Sequence, residues 1–420
     1  MAPDDDPCAP GLSRRGRNLV AESGFPEYLV EQFRLAADAW HADANRDGYL
    51  GLCVAENRLV WDLLEPQVRA ARDVPPEAFA YDAMIGSERF RGQLGAFLSR
   101  HVLGRSVGPD RLAVLAGAGS VLEILFHVIA DPGDGVLVPT PSYAGFWLDL
   151  ETRDQLTIVP VHCPSNGGFR LTPERLDEAF ETADRPVKAL LYTNPDNPRG
   201  AVASRDELEA IVRWTADRGL HLVCDEVYAL SVFGEREFTS VAALRPSLGP
   251  SVHVVWAFSK DFAASGLRCG VLVTENPDVL RAVDTLAYWA CCSGDTQHLL
   301  GSMISDEAWL VRYLTEMPRR LGDAYRRTTA ALDAAGIPYL PAEAGFFLLV
   351  DLRRFLAAPT FEAEHALWRQ LLDEAGVNLT PGAACHIAEP GFMRLCFAAA
   401  PPEAVEEAVR RIGRVLVDPP

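Results

Sequence analysis

Two periods of apolar residues alternate along this chain and mark out its elements. Short unbroken apolar runs predict buried strands: Gly135-Val136-Leu137-Val138, Ala189-Leu190-Leu191-Tyr192, His221-Leu222-Val223-Cys224, Val252-His253-Val254-Val255-Trp256 and Gly270-Val271-Leu272-Val273. Val114-Leu115-Ala116 predicts another, leading into Gly117-Ala118-Gly119-Ser120 and a helix with apolar positions at Val121, Leu122, Leu125 and Ile129. Asp131-Pro132-Gly133-Asp134 is a turn, and Arg205 to Arg218 reads as a further helix. Strands alternating with helices imply an α/β fold, in which a large domain carries a mostly parallel sheet covered by helices on both faces. After about residue 305 the pattern changes to a long amphipathic helix, Glu307 to Gly336, and then to a smaller α+β domain. The expected organisation is a disordered tail over 1–17, a segment over 18–75 that packs with the small domain, the large domain over 76–305 and the small domain over 306–420.

Composition narrows the class. Hydrophobic residues make up 49%, enough for a sizeable core, and the net charge of −19 argues against nucleic acid and anionic membrane as partners. The nine cysteines are scattered without C-x-x-C spacing, so they read as reduced core thiols of a cytoplasmic protein and not as a metal site. No apolar stretch approaches the roughly 20 residues of a membrane span. Met1 to Arg17 is polar and lacks the apolar core of a signal peptide.

Candidate chemistry begins with a scarcity. Only two lysines occur among the 420 residues, against 37 arginines. Lys188 precedes a strand and reads as a solvated entry charge. Lys260 follows the run Val252 to Trp256, in Ala257-Phe258-Ser259-Lys260, where burying an ammonium is costly. An enzyme that holds pyridoxal 5′-phosphate as an imine needs one such amine, deprotonated by its surroundings, at the end of a rigid element. Ser259 and Arg268 could hold the phosphate. Ala118, Gly119 and Ser120 open a helix, whose N–H groups and dipole form a phosphate cradle.

Other residues complete the set. Asp225 ends a strand and needs a cationic partner, which a pyridinium N–H supplies. Tyr228 and Asn197 could donate hydrogen bonds to the cofactor's phenolate oxygen, and Tyr143 could stack on its ring. Arg394, within Gly391-Phe392-Met393-Arg394-Leu395, could clamp a substrate carboxylate. Taken singly, Asp225 or Arg394 could be core ion-pair residues and Tyr143 a packed aromatic. The order, with 28 residues from Asn197 to Asp225 and 35 from Asp225 to Lys260, favours the joint reading.

This set resembles the fold type I pyridoxal-phosphate enzymes of the class I/II aminotransferase family, and within it the 1-aminocyclopropane-1-carboxylate synthases. The likeness runs from about residue 48 to 400. It rests on Gly51-Leu52-Cys53-Val54-Ala55-Glu56-Asn57-Arg58-Leu59, on Val138-Pro139-Thr140-Pro141, on Asp295-Thr296-Gln297-His298-Leu299-Leu300 and on the stretch from Asn378 to Phe397. It implies pyridoxal 5′-phosphate, a homodimer with its site at the interface, and S-adenosylmethionine as substrate. Lys260 is carried over as the Schiff-base lysine and general base, and Glu56 as a substrate-side glutamate.

Two departures stand out. Where the plant-like synthases present a tyrosine to the partner's site, Met84 stands here, and Tyr81 could replace it only if the loop differs. The first serine of the Ser-x-Ser-Lys pattern is Ala257, which removes a phosphate hydroxyl. With S-adenosylmethionine the expected chemistry is loss of methylthioadenosine from the γ-carbon. The product is either a cyclopropane amino acid or a vinylglycine-type unit captured by a second substrate, through γ-replacement or ring formation in natural-product biosynthesis. The competing reading is an aminotransferase that moves an amino group to a 2-oxo acid.

Overall fold

A central sheet of seven strands organises the chain in the computed structural model, which describes residues 11–21 and 25–417. Its strands are β1 (Leu112–Leu115), β2 (Gly135–Thr140), β3 (Thr157–His162), β4 (Val187–Thr193), β5 (His221–Asp225), β6 (Val252–Ala257) and β7 (Gly270–Thr274). They lie in the order β1-β7-β6-β5-β4-β2-β3. All neighbours pair in parallel except β7, which runs antiparallel to both β1 and β6. Every residue of β1, β6 and β7 is buried, as an apolar run must be when helices cover both faces. β3 went unread because Pro160 interrupts its pattern; it sits at the sheet edge, where a missing N–H is tolerated.

The helices follow local signals. Ser204 and Glu207 form a reciprocal capping box at the start of Arg205–Asp217. The long helix Glu307–Ala334 is capped by Asp306, whose side chain accepts from the Trp309 N–H. Beyond it a three-stranded antiparallel sheet forms from β8 (Phe347–Asp351), β9 (Thr380–Pro381) and β10 (Phe392–Cys396), in the order β9-β10-β8. The chain near the N-terminus joins this region: Leu50–Gly51 pairs in parallel with Val377–Asn378.

Residues 1–10 of the expected tail lie outside the described residues. From Arg14 on, its residues belong to a helix, Arg14–Ala21, that buries no residue. The Ser13 hydroxyl accepts from the Gly16 N–H at 3.1 Å, and so caps that helix from outside. No helix among the described residues is long and apolar enough to cross a membrane, and no cluster there could hold a metal.

Candidate active site

The carboxyl ends of β4, β5 and β6 open on one cavity of about 220 Å³. Ligands of open α/β sheets collect at this edge because the loops there are free to diverge while the strands stay fixed. The cavity is lined by Ala118, Gly119, Tyr143, Asn197, Asp225, Tyr228, Ala257, Ser259, Lys260 and Arg268, which brings together residues from five separate stretches of sequence.

Lys260 lies just past β6, in a single helical turn, Phe258–Asp261. The turn is held by its last residue. Asp261 is fully buried and accepts hydrogen bonds from Trp256 Nε1 at 2.9 Å, Ser231 Oγ at 2.7 Å and Leu230 N at 3.1 Å. Lys260 Nζ donates to the Ala55 carbonyl at 2.8 Å. Burial lowers its pKa to about 8, the nearby Arg394 guanidinium pushes the same way, and Glu56 and Asp225 oppose. At neutral pH about a tenth of this amine is therefore neutral and nucleophilic, far more than for an exposed lysine.

Asp225, 6% exposed, accepts one hydrogen bond, from Val227 N at 3.3 Å. Burial raises its pKa to about 7. No cation is bonded to it among the described residues, so it is a carboxylate awaiting a buried positive partner. Tyr228 is buried behind it, edge-on to Phe346 and Phe347, and burial pushes its phenol well above the usual value.

At the other end, Gly117 takes φ 98° and precedes the helix Ala118–Ile129. A Cβ there would overlap the Arg268 guanidinium, so only glycine lets the cation approach the helix start. Arg268 is anchored by the Ser265 carbonyl at 3.0 Å and the Ala116 carbonyl at 3.4 Å. Tyr143 stands edge-on to Phe146, 5.3 Å between centroids, and partly exposed.

Several predicted residues sit elsewhere. Ser120 does not line the cavity; its hydroxyl turns back along the helix to the Ala116 carbonyl at 3.3 Å, the usual alternative for a serine in a first turn. Arg394 is 4% exposed and lies behind the cavity wall, where it donates to Asn197 Oδ1, to the Cys53 carbonyl and to Thr380 Oγ1. Its Nε has no partner. Glu56 lines an adjoining cavity and pairs with Arg58 at 3.1 Å. Met84 packs against the core cluster around Leu115, and Tyr81 is 97% exposed, so neither lines the cavity of its own chain.

The sequence reading missed Asp149, Thr193, Val227 and Ser265, which also line the cavity. The available signal for Asp149 was a lone carboxylate inside the apolar run Gly145-Phe146-Trp147-Leu148-Asp149-Leu150.

A buried amine, a buried carboxylate with no bonded cation and a cation at a helix start thus meet on one sheet edge. Residues 48–412 match the aminotransferase class I and II family, and this chain belongs to it. The chain is 35% identical over 407 residues to 1-aminocyclopropane-1-carboxylate synthase 11 of Arabidopsis thaliana, covering 93% of this chain and 87% of that one. It is 35% identical over 396 residues to the 1-aminocyclopropane-1-carboxylate synthase of Malus domestica, covering 89% and 84%. In fold it is similar to the aspartate aminotransferase of Thermus thermophilus with maleate, with TM-score 0.81 and 24% identity over 96% of this chain and 99% of that one.

The chain is an enzyme of this family, whose cofactor is pyridoxal 5′-phosphate. The residues fit that group. Lys260 presents the amine, Asp225 lacks the cation that a ring nitrogen would supply, and Arg268 with the helix start offers charge and N–H groups to a phosphate.

Proposed function

We propose that this enzyme acts on S-adenosylmethionine and releases methylthioadenosine from its γ-carbon. The observation that carries the reading is the identity to 1-aminocyclopropane-1-carboxylate synthases across nine-tenths of the chain, joined to a cavity containing Lys260, Asp225 and Asn197. The four-carbon amino-acid unit either closes to a cyclopropane or is captured by a second small-molecule substrate. Met84 loosens the expectation of simple cyclisation, because the phenol of a plain synthase is missing, and Ala257 marks a site that has drifted. Cyclisation competes strongly, since Cα and Cγ are tethered at high effective molarity.

When bound, pyridoxal phosphate supplies an electron sink for the charge left at the substrate's Cα. Lys260 would hold the cofactor and then take up the Cα proton at Nζ. Asp225 would keep the ring nitrogen protonated. Ala118, Gly119, Ser259 and Arg268 would hold the phosphate, Tyr143 would pack on the ring, and Tyr228 and Asn197 would donate toward its oxygen. Arg394, buried behind the cavity wall, would reach the substrate carboxylate through Nε, its one unpartnered guanidinium nitrogen, and Glu56 would attend the sulfonium end of the substrate.

Exposed Phe79, Tyr81, Tyr288 and Trp289 support assembly as a homodimer, which sedimentation of the purified protein would test. Among the described residues the cysteines are free and all but Cys291 are buried, which fits a reducing cytoplasm.

The deciding experiment is incubation with S-adenosylmethionine alone. Slow methylthioadenosine release, with solvent deuterium entering at Cβ as well as Cα, supports capture by a second substrate. Fast stoichiometric aminocyclopropanecarboxylate would leave a plain synthase. Transfer of the amino group to a 2-oxo acid without sulfonium loss would make the protein an aminotransferase instead.

A further inference from the structure

Asp149 is the one carboxylate lining the active-site cavity that the catalytic reading leaves without a task. It lies on the short helix Gly145–Glu151, and its Oδ1 comes within 3.2 Å of the position a Cβ on Gly119 would take. Gly119 therefore leaves open the space that the carboxyl group fills. Among the described residues the carboxyl group of Asp149 makes neither a hydrogen bond nor an ion pair. It faces the phosphate cradle at the start of the helix Ala118–Ile129, with Arg268 across the same cavity.

That placement poses an electrostatic problem. A carboxylate beside a phosphate dianion repels it, whereas a carboxylic acid donates a hydrogen bond to it. Among the serines near the cradle, Ser120 is turned away to the Ala116 carbonyl and Ser265 donates to the Ser259 carbonyl, so Ser259 is the serine hydroxyl left to the phosphate, and Ala257 adds none. We propose that Asp149 is a cofactor-binding residue, held as a neutral acid that donates its proton to the phosphate of pyridoxal 5′-phosphate. It adds to Ser259 the second donor that Ala257 does not bring.

The surroundings shift Asp149 toward the neutral form, and a bound phosphate completes the shift. Burial raises the Asp149 pKa to about 6 and Glu123 on the neighbouring helix adds to the rise, while Arg268 opposes it. Glu123 is itself paired with Arg153 at 3.0 Å, which limits its effect. Asp225 and the phenol of Tyr143 also face Asp149 across the cavity, and each has its own proton made harder to remove by it. A phosphate dianion arriving beside it pushes the Asp149 pKa higher, so binding takes up a proton.

The test is the dissociation constant of pyridoxal 5′-phosphate from wild type, Asp149→Asn and Asp149→Ala, measured by absorbance between pH 6 and pH 9. Asparagine donates at every pH and cannot ionise. The ratio of wild-type to Asp149→Asn dissociation constants should grow with pH, by up to about tenfold per unit above pH 6. Asp149→Ala should bind more weakly than Asp149→Asn throughout. With pyridoxal, which lacks the phosphate, the three proteins should not differ. In the wild-type and Asp149→Asn holoenzymes the phosphorus resonance should move on passing to Asp149→Ala. A ratio that does not change with pH, or the same ratio with pyridoxal, would overturn the proposal. Neither readout depends on S-adenosylmethionine chemistry, so failure here and failure of the proposed reaction are separable.

Discussion

Asn197 Oδ1 accepts a hydrogen bond from Arg394 Nη1 at 2.9 Å. The bond fixes which way the asparagine amide faces. Its oxygen is committed to the guanidinium, so its N–H₂ group is left for the cavity that Asn197 lines. A substrate-side arginine and a cofactor-side asparagine are thereby one mechanical unit.

Replacing Arg394 by Lys keeps the charge but loses the planar fork that holds Asn197, the Cys53 carbonyl and Thr380 together. Substrate affinity should fall by about tenfold or more, roughly 1.4 kcal/mol, for loss of the charge-assisted hydrogen bond that Nε offers the carboxylate. The cofactor's absorbance band should also shift, because the Asn197 amide is released. Titration with a substrate-like amino acid, followed by absorbance, checks both. Unchanged affinity would remove Arg394 from the substrate site.

Lys260 should carry the cofactor. Borohydride reduction of the yellow holoenzyme followed by peptide mapping should place the adduct on Lys260. An adduct on Lys188, the other lysine of the chain, would defeat the catalytic assignment.

The same amine sets a pH dependence. Its pKa is lowered from 10.5 to about 8, so below pH 8 the protonated form dominates and imine formation slows by about tenfold per unit. The rate of apoprotein reconstitution should rise to about pH 8 and then level. For stability the sign follows from proton counting. Between about pH 8 and 10.5 the unfolded chain holds a proton that the folded apoprotein has lost, so stability from this group rises with pH over that window. Urea unfolding of apo wild type should show this rise, and apo Lys260→Met should lack it.

Asp225→Asn should leave the cofactor bound and slow exchange of the substrate Cα proton by about 10³-fold, roughly 4 kcal/mol of transition-state stabilisation. The neutral amide no longer holds the ring nitrogen protonated. Wild-type exchange of that proton into deuterium oxide would leave Asp225 a purely structural residue.

Asp261 supports Lys260 from one residue away. Asp261→Ala leaves the Trp256 indole N–H, the Ser231 hydroxyl and the Leu230 N–H without their acceptor in a fully buried place. Stability should drop by about 3 kcal/mol, read from urea unfolding. Cofactor affinity should weaken with it as the turn Phe258–Asp261 loosens.

Much of this protein could be read directly from the order of its residues. The apolar runs before Asp225 and Lys260 are strands because burial on both faces demands continuous β-branched and aliphatic residues. The helix at Arg205–Asp217 starts where Ser204 and Glu207 cap it, a purely local event. The candidate chemistry was proposed from the same runs, because a lysine and an aspartate just past buried strands have few other reasons to be there. What lay beyond the sequence was whatever depends on two distant segments meeting. That Arg394 reaches Asn197 rather than lining the cavity is set by the packing of β10 against the loop after β4. That Ser120 turns inward while Asp149 fills the space beside Gly119 is set by how two helices meet at the cavity wall. Hydrophobic periodicity is a property of neighbours along the chain. Charge, hydrogen bonding and pKa are properties of neighbours in space, and only the closed tertiary structure decides those.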